Sequence, residues 1–234
     1  MKRASLCFLL GIVSLLSVRA DLTIVQKVEG MNETGQMTIK IKGARVRIEA
    51  TPRQTTIVDT KTGEMMNLMN DQKSVVRISA EKMKAAMETI RKFNGQGEST
   101  TKPKLSATGK RETIGGYETE QYVYETPSFK ATYWIAPKFP NASAILKQME
   151  ILNSGAWKPK DMLLFDYTDF PGVPIKSVVT VNGNEVTTTV TAINEDSLSD
   201  SQFTAPQDFQ EVKPPEMQLA PNRAVPAAGS SPNP

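Results

Sequence analysis

Between Leu22 and Ile78 apolar residues return at every second position, and that period constrains the chain more than any other feature. Met37, Ile39 and Ile41 alternate with Thr38, Lys40 and Lys42, and Val46, Ile48 and Ala50 alternate with Arg45, Arg47 and Glu49. Such alternation belongs to an extended strand with one wet face, because successive side chains leave a strand on opposite sides. The stretches "LTIVQKVEG", "QMTIKIKG", "ARVRIEA", "QTTIVD", "EMMNLMN" and "SVVRIS" follow one another across short turn-like segments such as "TKTG" and "DQK". Strands at this spacing predict an antiparallel meander.

The period then changes. From Ser79, "SAEKMKAAMETIRKFNGQG" sets Met83, Met87 and Ile90 on one stripe, which predicts an amphipathic helix. Ser79 is placed to cap its start, Glu81 favours the positive end and Gly95 is the stop. Strands resume with "KLSATGKRETI", "YETEQYVYE" and "FKATYWI". A second helix follows, with Asn141 as cap and Ile145, Leu146, Met149 and Leu152 inward. Asn182-Gly183 between "IKSVVTV" and "EVTTTVTAI" suits a type I′ hairpin turn. A sheet of this many strands tends to curl. The expected fold class is therefore α+β, a curved antiparallel half-barrel covered by two amphipathic helices, and such a barrel often holds a cavity.

Composition removes most familiar chemistry. The chain has no histidine and one cysteine, Cys7. Ordinary zinc ligand sets and histidine-assisted nucleophiles are excluded. Cys7 lies in an apolar run, Leu6 to Val18, between basic Lys2 and Arg3 and the small residues Val18 and Ala20. This pattern predicts a cleaved secretory signal over residues 1–20 and export to the periplasm or the cell exterior. A single domain over 21–212 is expected, then a disordered Pro-, Ala- and Ser-rich tail over 213–234. The 28 basic residues fall to 25 without Lys2, Arg3 and Arg19, and so balance the 25 acids. A neutral chain gives no electrostatic grip on nucleic acid. A monomer without cofactor, metal or stable membrane anchor is expected.

Three methionines and a leucine crowd "EMMNLMN". As a strand it places Met65 and Met69 on one face and Met66 and Leu68 on the other, so both faces are apolar and covered. Doubly covered core, pocket wall and a thioether copper site are the three readings of this stretch. Asp166 with Asp169, and Glu118 with Glu120, are the carboxylate pairs that a hydrolase would need. Alternating strand carboxylates reach that separation without any catalytic role. Tyr117, Tyr122, Tyr124, Tyr133 and Trp134 read as cross-strand pairs or, alternatively, as a stacking platform.

The order "GQMTIKIKGARVRIEATP", "TTIVDTKTGEMMNLMNDQKSV" and then a helix resembles the N-terminal half of the LolA/LolB-type lipoprotein carriers. A closer resemblance, through "GKRETIGGYETEQYVY", "ATYWIAPKFP", "FPGVPIKSVVTV" and "SQFTAPQDF", is to an uncharacterised bacterial family of that fold. The resemblance implies a non-enzymatic envelope protein binding something apolar, such as a lipid or a lipoprotein acyl chain. Met37, Ile39, Ile41, Val46, Ile48, Met65, Met69, Met83, Met87 and Ile90 are then the expected pocket lining, with the two helices and residues 156–174 as a lid. Arg47 matches the carriers' strand arginine, which implies a cavity latch, although alternation sends it to the face opposite Val46 and Ile48. At about 0.8 kcal/mol per methylene, shielding a sixteen-carbon chain takes roughly 10–12 kcal/mol of burial, which only a cavity provides. The rival classes are an envelope interaction module with a filled core and a carboxylate hydrolase.

Overall fold

Six strands in the first half are joined by turns that their own sequences encode. In the computed structural model, which describes residues 21–30, 33–94, 104–126, 129–153, 167–181 and 184–213, these are β1 (Leu22–Gly30), β2 (Glu33–Lys42), β3 (Arg45–Thr51), β4 (Gln54–Asp59), β5 (Glu64–Met69) and β6 (Ser74–Ile78). The β4–β5 turn shows how local chemistry fixes the path. The Asp59 carboxylate accepts from the backbone N–H groups of Lys61 and Thr62, and Gly63 takes the left-handed conformation at φ 77° that lets the chain return. Helix α1 (Ala80–Asn94) follows β6, and Ser79 Oγ accepts from the Lys82 N–H at 3.3 Å, as the sequence predicts.

The second half supplies β7 (Ser106–Ile114), β8 (Tyr117–Thr126), β9 (Phe129–Ala136), α2 (Ala142–Met149), β10 (Val173–Val181) and β11 (Asn184–Asn194). A three-residue strand, β12 (Gln210–Val212), ends the described chain's secondary structure. All twelve strands form one open sheet in the order β12-β6-β5-β4-β3-β2-β1-β11-β10-β9-β8-β7. Every pairing is antiparallel except β12 on β6, which is parallel. The two meanders meet in the middle, where β1 lies between β2 and β11. The large antiparallel sheet with two helices is the architecture that the sequence leads one to expect. Among the described residues, no helix is long and apolar enough to cross a membrane.

Register sorts the side chains into two faces, because directly opposed residues on neighbouring strands point the same way. One face receives α2. Ile145, Leu146 and Met149 of that helix are buried in a cluster with Leu22, Ile24, Ile39, Ile41, Val46, Tyr133, Ile135, Phe170 and Ile175. Tyr122 stands opposite Tyr133 on the same face, so these aromatics form a cross-strand pair. The helix begins at the expected place with Asn141 at the N-cap, but the Asn141 side chain makes no capping hydrogen bond. Its backbone is left-handed at φ 54°, and its amide donates instead to Glu195 at 2.8 Å.

The opposite face of β3–β6 is crossed by residues 195–213, which we call the strap. Phe203, in a short 3-10 turn (Asp200–Phe203), is buried with Ile57, Leu68 and Val75. Arg45 lies over its ring, 5.2 Å from the centroid. The Leu198 N–H donates to the Asp21 carboxylate at 2.7 Å, and β12 then seals the β6 edge. On β5, Leu68 is buried on the strap side and Met65 on the other. The expected leader over 1–20 and the expected tail beyond Lys213 lie outside the described residues, as do Gly95, Ser154-Gly155 and the expected turn at Asn182-Gly183.

Candidate functional site

On the α2 face, β1–β6 lay down a continuous apolar stripe. One row runs Leu22, Ile41, Val46, Val58, Met65, Ile78, each residue opposed to the next across the sheet. The next row is Ile24, Ile39, Ile48, Thr56, Asn67, Val76. Beyond it, Met37 opposes Gln26, and Met69 lies between Gln54 and Ser74. Seven expected lining residues, Met37, Ile39, Ile41, Val46, Ile48, Met65 and Met69, thus share a single face. Met83 of α1 is half-buried, and the side chains of Met87 and Ile90 lie outside the described residues.

Burial is graded across these rows. Ile41, Val46 and Val58 are 2–3% exposed, whereas Ile48, Met37 and Met69 are half-buried and Gln54 is exposed. Over β2–β5 the stripe is closed along one border and accessible along the other. Two polar residues interrupt it: Thr56 Oγ1 donates to Asn67 Oδ1 at 2.9 Å. Further along the same face, the Tyr122, Tyr124 and Tyr133 hydroxyls are held neutral, since burial raises each above the ordinary phenol range.

Arg47, the expected latch, lies on the opposite face. It opposes Lys40 and Ile57 on the strap side, because alternation turns it away from Val46 and Ile48. There its guanidinium donates to Glu49 at 2.7 Å and to the Gln202 carbonyl at 2.8 Å, so it fastens the strap. Burial opposes ionisation of Glu49, but its hydrogen bonds from Arg47 and Lys40 outweigh that and hold its carboxyl below the usual range.

The methionines of β5 do not converge. Met66 faces the strap side and accepts from Arg77 at 2.9 Å. Met65 and Met69 are four residues apart on one strand, about 13 Å. Among the described residues no three histidine, cysteine or carboxylate side chains gather as a metal site. Of the carboxylate pairs, Glu118 is exposed and lies 3.7 Å from Lys138, while Glu120 accepts from the Tyr122 hydroxyl at 3.3 Å. Asp169 is exposed, and Asp166 lies outside the described residues, as does most of the expected lid, 156–166. The remainder of that segment brings Phe170 and Val173 into the core.

The sequence reading did not anticipate the strap or the cleft beside it. That cleft, of about 360 Å³, is walled by Phe203, Met66, Ile57, Arg45 and Arg77 together with Asp59 and Glu64. Its one legible signal was the set Leu198, Phe203 and Phe209, apolar residues spaced through an otherwise polar segment.

The model of the family described as a domain of unknown function (DUF4412) matches residues 21–209, and the chain belongs to that family. No curated protein matches the sequence. Among solved structures, PNGF-II is similar at 13% identity and a TM-score of 0.39, covering 83% of this chain and 32% of that one. The MucA/MucB complex of Pseudomonas aeruginosa is similar at 11% identity and a TM-score of 0.42, covering 83% and 59%. The lipoprotein LppX of Mycobacterium tuberculosis is similar at 10% identity and a TM-score of 0.36, covering 76% and 89%. The chain spans less than two thirds of the first two. At these levels of likeness, none of the three says what this chain binds.

Proposed function

We propose that the protein is an exported, monomeric, non-enzymatic binding protein that holds a hydrophobic ligand, such as a lipid or an acyl chain, against the β2–β6 part of the α2 face. In this reading the sheet is curved into a half-barrel, and α1 joins α2 as its amphipathic cover. One observation carries the proposal: the apolar stripe on this face of β2–β5, which is buried along the row of Ile41, Val46, Val58 and Met65 and half-buried or exposed along the border of Met37, Gln54 and Met69. Apolar side chains left half-covered along one border of an otherwise closed stripe favour an apolar occupant.

Titration of lipid-stripped protein with the neutral fluorescent probe N-phenylnaphthylamine tests it. Saturable, stoichiometric fluorescence enhancement is expected, and an Ile48→Glu variant should weaken it about tenfold or more by setting a charge on the stripe. A flat titration of the unaltered protein overturns the proposal. The near-complete burial of Ile41, Val46 and Val58 favours a second reading, an interaction module with a filled interior. Native mass spectrometry after gentle purification separates the two, since a carrier arrives with bound lipid and a filled module without it.

A further inference from the structure

Charge is distributed unequally between the two faces of β1–β6. Within residues 22–26, 37–41, 46–50, 54–58, 65–69 and 74–78 the charged side chains are Lys40, Arg47, Glu49 and Arg77. By register all four lie on the strap face: Lys40 opposes Arg47, Glu49 opposes Thr38 and Thr55, and Arg77 opposes Met66. There they are paired, Lys40 and Arg47 with Glu49, and Arg77 with Glu211. The α2 face of these stretches carries no formal charge. An anion or a cation brought onto it would leave water without an ionic partner on these strand stretches, which is costly.

That face is not purely apolar, however. Thr56 and Asn67 are cross-strand partners in the middle of the stripe, flanked by Ile48 and Val76 in their own row and by Met65 and Met69 along β5. The Thr56 hydroxyl occupies Asn67 Oδ1 and so fixes the side-chain amide. Asn67 Nδ2, with two N–H groups to give, has no hydrogen-bond partner among the described residues, and both residues are half-buried rather than sealed. A plain hydrocarbon laid across the pair would strip water from this donor and return nothing. A carbonyl oxygen would replace that water.

Resting on the binding role proposed above, we infer that the Thr56–Asn67 pair makes this face selective for a neutral acyl ester or amide, with Asn67 donating to its carbonyl oxygen. Free fatty-acid anions and unfunctionalised hydrocarbons are discriminated against, the first by the absence of a cation and the second by the orphaned amide. A site that hydrogen-bonds one group of its ligand rejects the analogue lacking it more strongly than a smooth apolar wall does.

Displacement of bound N-phenylnaphthylamine by three ligands of matched chain length tests the inference: methyl laurate, laurate and dodecane, at a pH of about 9, where a free carboxyl is ionised. The ester should displace the probe at about tenfold lower concentration than either competitor, the scale of one hydrogen bond. An Asn67→Leu variant should lose the preference of ester over dodecane, read as the ratio of their displacing concentrations on that same protein. Laurate or dodecane matching the ester on the unaltered protein overturns the inference without any variant. So does an Asn67→Leu protein that keeps the preference. Failure of the unaltered protein to bind the probe removes the binding reading itself, and this inference with it.

Discussion

Gly172 sits where no side chain fits. A Cβ built there would lie 2.3 Å from the Ala136 carbonyl oxygen and 2.5 Å from Pro137 Cα, both backbone atoms that cannot swing aside. Next to it Val173 pairs with Ala136, so the close approach starts the β9–β10 ladder that carries Ile135 and Ile175 into the core. Gly172→Ala should cost about 1–3 kcal/mol, the usual range for overpacking. Urea denaturation measures it, and a variant as stable as the parent would show that the two backbones part easily. Single residues also mark the limit of reading by pattern. The position of Asn141 at a helix start is plain from sequence, yet its amide goes to Glu195 far along the chain. Local pattern names the place and not the partner.

The strap is the element that sequence hides best. The strands declare themselves through alternation, as "QMTIKIKG" and "ARVRIEA" do, and α1 through its stripe and Ser79. Residues 195–213 have no period, and Leu198 and Phe203 make sense only against Ile57, Leu68 and Val75, which belong to strands made much earlier. Several of its fastenings are ionic. Hydrogen bonds from Arg45 and then Lys42 hold the Asp200 carboxyl below its ordinary value of 3.8, and the hydrogen bond from Lys73 does the same for Asp208. A lowered folded-state pKa means that the stabilisation is complete above the ordinary value and is lost as pH falls through the folded-state one. As pH falls below about 4 the strap should therefore loosen first, losing hydrogen-exchange protection while β1 and β11 keep theirs. Equal protection of strap and central strands throughout that window would refute the ionic account. Salt should act in the same direction, since these pairs are exposed to solvent.

At the scale of the molecule, an open sheet has two edges to protect. β7 is exposed along nearly its whole length, bears Lys110, Arg111 and Glu112, and breaks register at Gly109, whose φ is 77°. Charge and a bulge are ordinary defences of such an edge. The other edge, β6, is covered by β12 instead. Ending the chain after Asn194 should bare β6 together with Ile57, Leu68 and Val75, and the shortened protein should self-associate in light scattering. A monodisperse monomer would mean that the strap is dispensable for solubility. The meanders on either side are legible from spacing alone. Their junction is not, because nothing in "LTIVQKVEG" says that its second neighbour is "EVTTTVTAI".

That junction also bears on how the protein is made. Among the described strands Leu22–Gly30 is made first, and β11, which flanks it, is made after every other strand but β12. Through most of translation one side of β1 has hydrogen-bonding groups with nothing to meet, and the sheet cannot close across its middle until nearly the whole chain has emerged. A nascent polypeptide of this topology depends on whatever escorts it to keep that bare side from pairing with a stranger.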